Sequence, residues 1–311
     1  MSLFTKASVD FAIERIDVVR LDIARSPDGL LAGHDLMSPY VWRAEGRTRL
    51  LVRVLANPLG PSDPTGIIYS GQSDDGLFFT MEPKSVLEPG PHEEDAGGVE
   101  DPTVVIGDEP HLIVFYTGVD AQREQGSLLV ATGPNLKRLT KDKVLLKAPE
   151  GEGNIKEATV ARGADGRYRL FYEYARDSAS RIGLALSDSL MGPWKAAEDP
   201  FGVRERSWDN WHLSTGPILA RPGEPPVMFY NGATADARWR IGWVAFDENY
   251  TRVVDRCIEP LLVPPPPKER AGTDIAFAAS CVDHPSGIYL YYSLEDRVLR
   301  RALVRRLAPV G

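Results

Sequence analysis

The sequence predicts an all-β fold, a five-bladed β-propeller built as one domain over residues 1–311. The first observation is an internal repeat of apolar runs: Leu50–Val54, Leu112–Tyr116, Tyr168–Tyr172, Val227–Tyr230 and Ile288–Tyr292. With Arg53, Tyr116, Tyr172, Tyr230 and Tyr292 taken as equivalent, the steps are 63, 56, 58 and 62 residues. The second is the company each run keeps. Short strands stand before and after it, with turn residues between, and that pattern at near-constant spacing describes propeller blades. A β-sandwich has no need to repeat in this way. The third is a content of 25 prolines and 28 glycines with weak helical periodicity, which suits a loop-rich β protein.

In chain order, residues 1–33 read as an edge or closing segment. Phe11–Ile23 has some amphipathic character, but Ile16–Leu21 alternates as a strand does. Blades follow over 34–97, 98–150, 151–207, 208–267 and 268–307. Their leading strands are Ser38–Trp42, Pro102–Ile106, Ala158–Ala161, Pro217–Ala220 and Ile275–Cys281. After the central runs come Ile67–Ser70, Leu128–Ala131, Ile182–Ala185 and Ile241–Ala245, with Val298–Ala302 a poorer fit. Pro264–Pro267, followed by Lys268-Glu269-Arg270, reads as a stiff connector between the last two blades.

A net charge of −8 and the absence of a basic footprint argue against a nucleic-acid partner. No apolar stretch has signal-peptide or membrane-spanning character, so a soluble cytoplasmic protein is expected, with no membrane partner. The sequence leaves the oligomeric state open. Cys257 and Cys281 read as structural thiols, and the five histidines lack zinc-ligand spacing, so neither a metal nor an organic cofactor is expected.

In a propeller the first strand of each blade lies nearest the central channel, and the loops entering those strands crowd one mouth. The residues there are His34 and Asp35, Glu100 and Asp101, Lys156 and Glu157, Trp211 and His212, and Thr273 and Asp274. Every blade therefore delivers a titratable group to one place. Asp35, Glu157 and Asp274 also fit solvated loop acids, Lys156 a surface charge, and His212 a structural histidine. Asp101 stands out because it follows Gly97-Gly98, adjoins Glu100 and precedes Pro102, where a loop enters the Val104-Val105-Ile106 strand. The glycine pair is expected to supply turn geometry there. A cup of acids and aromatic rings suits sugars, since rings stack on sugar faces and acids bind hydroxyls. Tyr40, Tyr116, Trp208, Trp211 and Tyr230 are the stacking candidates, with Trp208-Asp209-Asn210-Trp211 read as a loop.

From about Ser38 to Ala302 the chain resembles glycoside hydrolase family 130, the β-mannoside phosphorylases and their hydrolytic relatives. Gly98-Val99-Glu100-Asp101-Pro102 is similar to the family's Gly-Cys-Glu-Asp-Pro. Asp75-Gly76, Tyr116-Thr117-Gly118, Gly216-Pro217-Ile218, Tyr230-Asn231-Gly232 and Tyr292–Asp296 are weaker matches in the same order. The resemblance implies a five-bladed propeller with Asp101 as proton donor, cleaving β-mannosidic bonds of manno-oligosaccharides with inversion. Glu100, its neighbour in an extended chain, is expected to face elsewhere and hold a backbone or basic partner in place.

Two departures bear on the nucleophile. Thr103 stands where the family often has Arg, and Asn231 where it has a phosphate-binding histidine. Phosphate favours Arg forks and Lys, and Arg53, Arg123 and Lys156 remain for it. Arg53 interrupts an apolar strand, which is costly unless it faces the channel or pairs with an acid. The remaining expected substrate contacts are Asp35, Arg53, Glu100, Tyr116, Trp211, His212, Asn231, Asp274 and Asp296. Phosphorolysis with inorganic phosphate as co-substrate is the leading expectation. The alternatives are inverting hydrolysis, with Glu157 as catalytic base and Glu173 second, and a propeller that binds glycans without cleaving them.

Overall fold

The computed structural model describes residues 10–22, 33–106, 111–148, 153–265 and 274–307. Part of the Pro264–Pro267 connector, its Lys268-Glu269-Arg270 continuation and Thr273 lie outside the described residues. The described chain is all-β, with short 3-10 turns at Glu93–Asp95 and Leu136–Arg138. No helix among the described residues is long and apolar enough to cross a membrane.

The chain opens with β1 (Phe11–Val18) and β2 (Arg20–Asp22), then builds a first sheet from β3 (His34–Ala44), β4 (Arg47–Ala56), β5 (Ile67–Ser73) and β6 (Phe78–Leu87). The second sheet is β7 (Gly98–Ile106), β8 (Leu112–Val119), β9 (Gly126–Gly133) and β10 (Thr140–Leu146). The third is β11 (Gly153–Arg162), β12 (Tyr168–Arg176), β13 (Ala179–Ser187) and β14 (Lys195–Ala197). The next stretch contains β15 (His212–Ser214), β16 (Ile218–Leu219), β17 (Val227–Met228), β18 (Asn231–Ala233), β19 (Trp239–Ile241), β20 (Val244–Phe246) and β21 (Val253–Arg256). It divides into two sheets, ordered β15-β18-β19 and β16-β17-β20-β21. Pro217, which has no N–H to give a ladder, sits at the break between β15 and β16. β22 (Ala276–His284), β23 (Gly287–Leu294) and β24 (Val298–Arg306) complete the chain.

The N-terminal strands are added to both ends of this series. β1 pairs antiparallel with β24 as the outer strand of the last sheet, and β2 pairs parallel with β6 as the outer strand of the first. The leading strands also contact one another in chain order. Tyr40 Oη donates to Val104 O at 2.8 Å, Thr103 Oγ1 to Ala158 O at 2.6 Å, and Thr159 Oγ1 to Gly216 O at 3.0 Å. Asn231 exchanges two hydrogen bonds with the Ala278 backbone, and Ser280 Oγ donates to Pro39 O at 2.6 Å, which returns to the first sheet.

Because each sheet packs on both faces, its strands read as continuous apolar runs. Leu50, Val52 and Val54 enter one core with Tyr291 and Leu299, while Leu51 enters another with Val104, Tyr116 and Leu129. That alternation is the period-2 geometry of a strand buried on both sides. Phe115 and Leu128 meet Leu170 and Ala185 in a third core, and a fourth gathers Phe171, Phe229, Phe246 and Leu290.

The leading strands start earlier than expected, so Glu100 and Asp101 lie inside β7 rather than on a loop entering it. Gly97 and Gly98 also serve a different purpose. Neither has a positive φ. A Cβ on Gly97 would stand 2.0 Å from Asp120 O, and one on Gly98 would stand 2.1 Å from Thr65 Oγ1. The pair permits close packing, not a turn.

Candidate active site

The site is made by irregularities in the leading strands. Pairing slips between Met37 and Tyr40 in β3, between Glu100 and Thr103 in β7, and between Lys156 and Thr159 in β11. Each slip is a bulge, which bends a strand and re-aims a side chain. Ser38 (φ 50°), Asp101 (φ 47°) and Glu157 (φ 52°) occupy these bulges in left-handed backbone. Non-glycine residues rarely adopt it, and such strain gathers at functional sites. Asp101 therefore matches Ser38 and Glu157 in place, and Asp35 is not its counterpart in the first sheet.

Asp101 is 5% exposed and Glu100 is 2% exposed. Ser38 Oγ donates to Asp101 Oδ1 at 2.6 Å, and Arg53 Nη1 stands 3.8 Å from the same oxygen. Arg53 Nη2 also meets Glu100 Oε1 at 2.7 Å, while Lys156 Nζ meets Glu100 Oε2 at 3.1 Å. Glu100 thus holds basic partners, as expected, but it does not face away: the bulge turns both carboxylates onto Arg53. The Arg53 guanidinium is further fixed by bonds to Thr65 O at 3.0 and 2.7 Å.

The carboxyls divide by environment. Burial opposes ionisation of Glu100, but Arg53 and Lys156 outweigh it and hold the group below its ordinary range. Burial pushes Asp101 up, with the Glu100 charge adding and Arg53 and Lys156 opposing. Glu157 is raised well above the usual carboxylate range by burial and then by the charges of Asp101 and Glu173. Glu173 is raised chiefly by burial, but Ser180 Oγ donates to its Oε1 at 2.9 Å and Lys156 favours its ionised form. Asp296, in the turn after β23, is pushed up to about 6 by burial, against the pull of Arg53. An upward shift favours the protonated form that a general acid needs.

Other expected contacts stand apart from this cluster. Tyr116 has no exposed surface and donates to buried Asp95 at 2.9 Å, so it belongs to the core and not to a substrate surface. Asn231 is likewise fully buried. Its amide donates to Thr215 O and Ala278 O and accepts from Ala278 N, which makes it a pin between strands rather than a sugar or phosphate ligand. Trp208 and Tyr230 stack on each other at 5.5 Å, and Tyr230 donates to buried Asp209, so the Trp208–Trp211 stretch supplies packing at its first half. Trp211 is 41% exposed. Tyr40 is spent on the bond to Val104 O.

Arg123 donates to Gly60 O at 3.2 Å and to Asp63 O. Asp35 is held by Arg297 at 3.3 Å, and Asp274 by Arg238 and Arg240 at 3.4 and 3.5 Å. His212 Nδ1 accepts the Ser180 N–H at 3.1 Å. Sequence reasoning missed Ser38, whose only signal is the Ser-Pro pair that parallels Asp101-Pro102. It also ranked Glu173 second. No group of three or more His, Cys, Asp or Glu side chains that could hold a metal occurs among the described residues.

A family model described as β-1,4-mannooligosaccharide phosphorylase, that of glycoside hydrolase family 130, matches residues 61–304. The chain belongs to glycoside hydrolase family 130. As a family 130 protein it is an enzyme of the glycoside phosphorylase or hydrolase kind, so a propeller that only binds glycans is not the right description. It is 26% identical over 258 residues to the 1,2-β-oligomannan phosphorylase of Thermoanaerobacter sp. (strain X514), covering 80% of this chain and 83% of that one. The structure of the β-1,2-mannobiose phosphorylase from Listeria innocua with β-1,2-mannobiose matches at 19% identity and a TM-score of 0.72, covering 93% of this chain and 90% of that one. Another solved structure matches with a TM-score of 0.73 at 22% identity, covering 89% and 85%. It is described with the statement that the family "contains glycoside hydrolases that target beta-1,2 mannosidic linkages in Candida mannan".

Proposed function

We propose that this family 130 enzyme is a five-bladed propeller that hydrolyses β-mannosidic linkages of manno-oligosaccharides with inversion. The blade reading is supported by the cyclic contacts of the leading strands, from Tyr40 to Val104 and on to Ser280 with Pro39. Asp101 is the proton donor. Ser38 occupies Oδ1, which leaves Oδ2 to carry the proton to the glycosidic oxygen, directly or through a sugar hydroxyl.

One observation carries the choice of water over phosphate: every basic group expected to cradle phosphate is already committed. Arg53 and Lys156 clamp the two oxygens of Glu100, Arg123 is spent on backbone carbonyls, and buried Asn231 is a strand pin. Near Asp101 stand the carboxyls of Glu157 and Glu173, each influenced by the Arg53 or Lys156 charge but neither in an ion pair among the described residues. A phosphate dianion would meet carboxyls there, with the nearest cations, Arg53 and Lys156, engaged by Glu100, whereas a water needs only a carboxylate base on the face opposite the donor, about 6.5–9.5 Å away. Glu173 is the better base. The Ser180 hydroxyl orients it and Lys156 favours its ionised form, whereas Glu157 is pushed well above the usual carboxylate range. This reverses the order in which the sequence ranked the two glutamates.

Phosphorolysis is the second reading, favoured by the phosphorylases among the relatives. Inorganic phosphate would then have to draw Arg53 or Lys156 away from Glu100. Incubation with β-1,2- and β-1,4-mannobiose, with and without phosphate, decides between them. Hydrolysis predicts mannose released at the same rate in both, its first anomer α by NMR. Phosphate-dependent mannose 1-phosphate would overturn it.

A further inference from the structure

The clefts between neighbouring sheets are filled by a repeated device, and one of them is filled differently. In the second and third sheets the central strands β8 and β12 carry Phe115 and Phe171, two residues before Thr117 and Glu173. Each ring meets another from the turn that precedes the outer strand of the sheet that follows. Trp194 stands 6.4 Å from Phe115 at 72°, and Tyr250 stands 5.8 Å from Phe171 at 65°. In the first sheet the equivalent residue, two before Arg53, is Leu51, and the turn after β9 brings Leu136 against the same core. Two leucines thus stand where the next two clefts each hold a pair of rings.

This cleft, between the first and second sheets, contains a cavity of about 580 Å³. Small-molecule sites run from about 300 to 1,000 Å³. Its apolar lining includes Trp42, Ala44, Leu112 and Leu136. Trp42 lies four residues beyond Ser38 in β3, on the order of 13 Å along a strand. The cavity therefore stands apart from the Asp101 cluster, toward the other end of the leading strands.

The polar groups of the lining define what fits. The Trp42 Nε1–H is buried and has no hydrogen-bond partner among the described residues. A buried donor left unmet is costly, so an occupant that brings an acceptor is favoured. Arg49 donates to Gln72 at 3.0 Å and to Glu45 at 2.9 Å, and Lys137 meets Glu82 at 3.2 Å. Arg138 lines the same cavity, and its side chain makes no hydrogen bond or ion pair among the described residues. Arg49, Lys137 and Arg138 outnumber Glu45 and Glu82, which leaves the rim an excess positive charge. A sugar would bring more hydroxyls than the apolar lining can satisfy. A flat ring that carries a carboxylate and a second acceptor answers the missing rings, the free guanidinium and the unmet indole together.

We propose that this cavity is a second ligand site of the enzyme, taking a planar aromatic acid. The ring fills the cleft, the carboxylate meets Arg138, and the second acceptor takes the Trp42 N–H. The site lies outside the catalytic cup and does not depend on whether water or phosphate attacks there.

Isothermal titration of the full chain with 6-hydroxy-2-naphthoate, 2-naphthol and octanoate tests the site. The expected result is one 6-hydroxy-2-naphthoate per chain, bound about tenfold more tightly than 2-naphthol or octanoate, a difference of about 1.4 kcal/mol. Arg138→Ala should weaken the hydroxynaphthoate about tenfold and leave 2-naphthol unchanged. Leu136→Trp supplies from the chain itself the ring that Trp194 gives the next cleft, so it should abolish binding while the melting temperature holds or rises. Arg138 is exposed, so its alanine variant keeps the test decisive even where Leu136→Trp fails to fold. Absence of binding to the wild type overturns the site, as does binding that both variants leave unchanged or that β-1,2-mannobiose displaces. Octanoate bound as tightly as the hydroxynaphthoate overturns the planar-ring assignment. None of these readouts involves mannoside cleavage, so failure of the site leaves the hydrolytic reading as it stands.

Discussion

Ser38 Oγ lies 2.6 Å from Asp101 Oδ1, joining two residues 63 positions apart that occupy the same bulge in neighbouring sheets. A hydroxyl that donates to a carboxylate stabilises its ionised form and so opposes the upward push of burial on Asp101. Ser38→Ala removes that opposition, and the Asp101 pKa rises further. Since the donor must be protonated, the basic limb of the kcat/KM–pH profile should move to higher pH. Asp101→Asn should instead lower kcat by about 10²–10⁴ at every pH, as loss of a general acid does. Rates across pH for the two variants check both outcomes.

The base is tested by chemical rescue. Glu173→Gln should lower hydrolysis by about 10²–10⁴, and added azide, a nucleophile that needs no deprotonation, should restore turnover with an α-mannosyl azide product. Glu157→Gln should not respond to azide. If the rescue follows Glu157 and not Glu173, the assignment of the base is wrong.

These residues also show how far the sequence could be read. The repeat was legible because both faces of each sheet are buried, which writes strands such as Leu50–Val54 as continuous apolar runs. Alignment on the aromatic residues, however, was one position out of step with the pairing. Arg53 pairs with Met37, Thr117 with Glu100, and Glu173 with Lys156, so Thr117 and Glu173 are the counterparts of Arg53, and Tyr116 and Tyr172 are not. In a strand one residue is a change of face, and the slip placed Tyr116 at the site and moved Glu173 down the order. Bulges have no composition of their own, so Ser38 was passed over.

The clamp on Glu100 has a consequence for stability. Its carboxylate is 2% exposed and is neutralised from both sides. Arg53→Met leaves Lys156 as the one cation in contact with this buried charge among the described residues, and breaking such a pair costs about 3–5 kcal/mol. The double variant Arg53→Met with Glu100→Gln removes the stranded charge as well, so it should be more stable than Arg53→Met alone. Urea unfolding of the two proteins checks the sign.

Asp296 ties stability to pH. Burial pushes its pKa to about 6 in the folded protein, above the value near 4 of an unfolded chain. The folded state therefore binds the proton more tightly, and the associated stability is fully present below the unfolded pKa. It is lost as pH rises through about 6, where the folded group ionises beside Asp101 and Asp35. Asp101, Glu157 and Glu173 are raised in the same direction and add to the slope. Asp296→Asn carries no proton to lose, so relative to the wild type it should gain melting temperature between pH 5 and pH 8. Thermal unfolding of both proteins across that range reads the difference, and parallel curves would show that Asp296 titrates as an ordinary exposed acid.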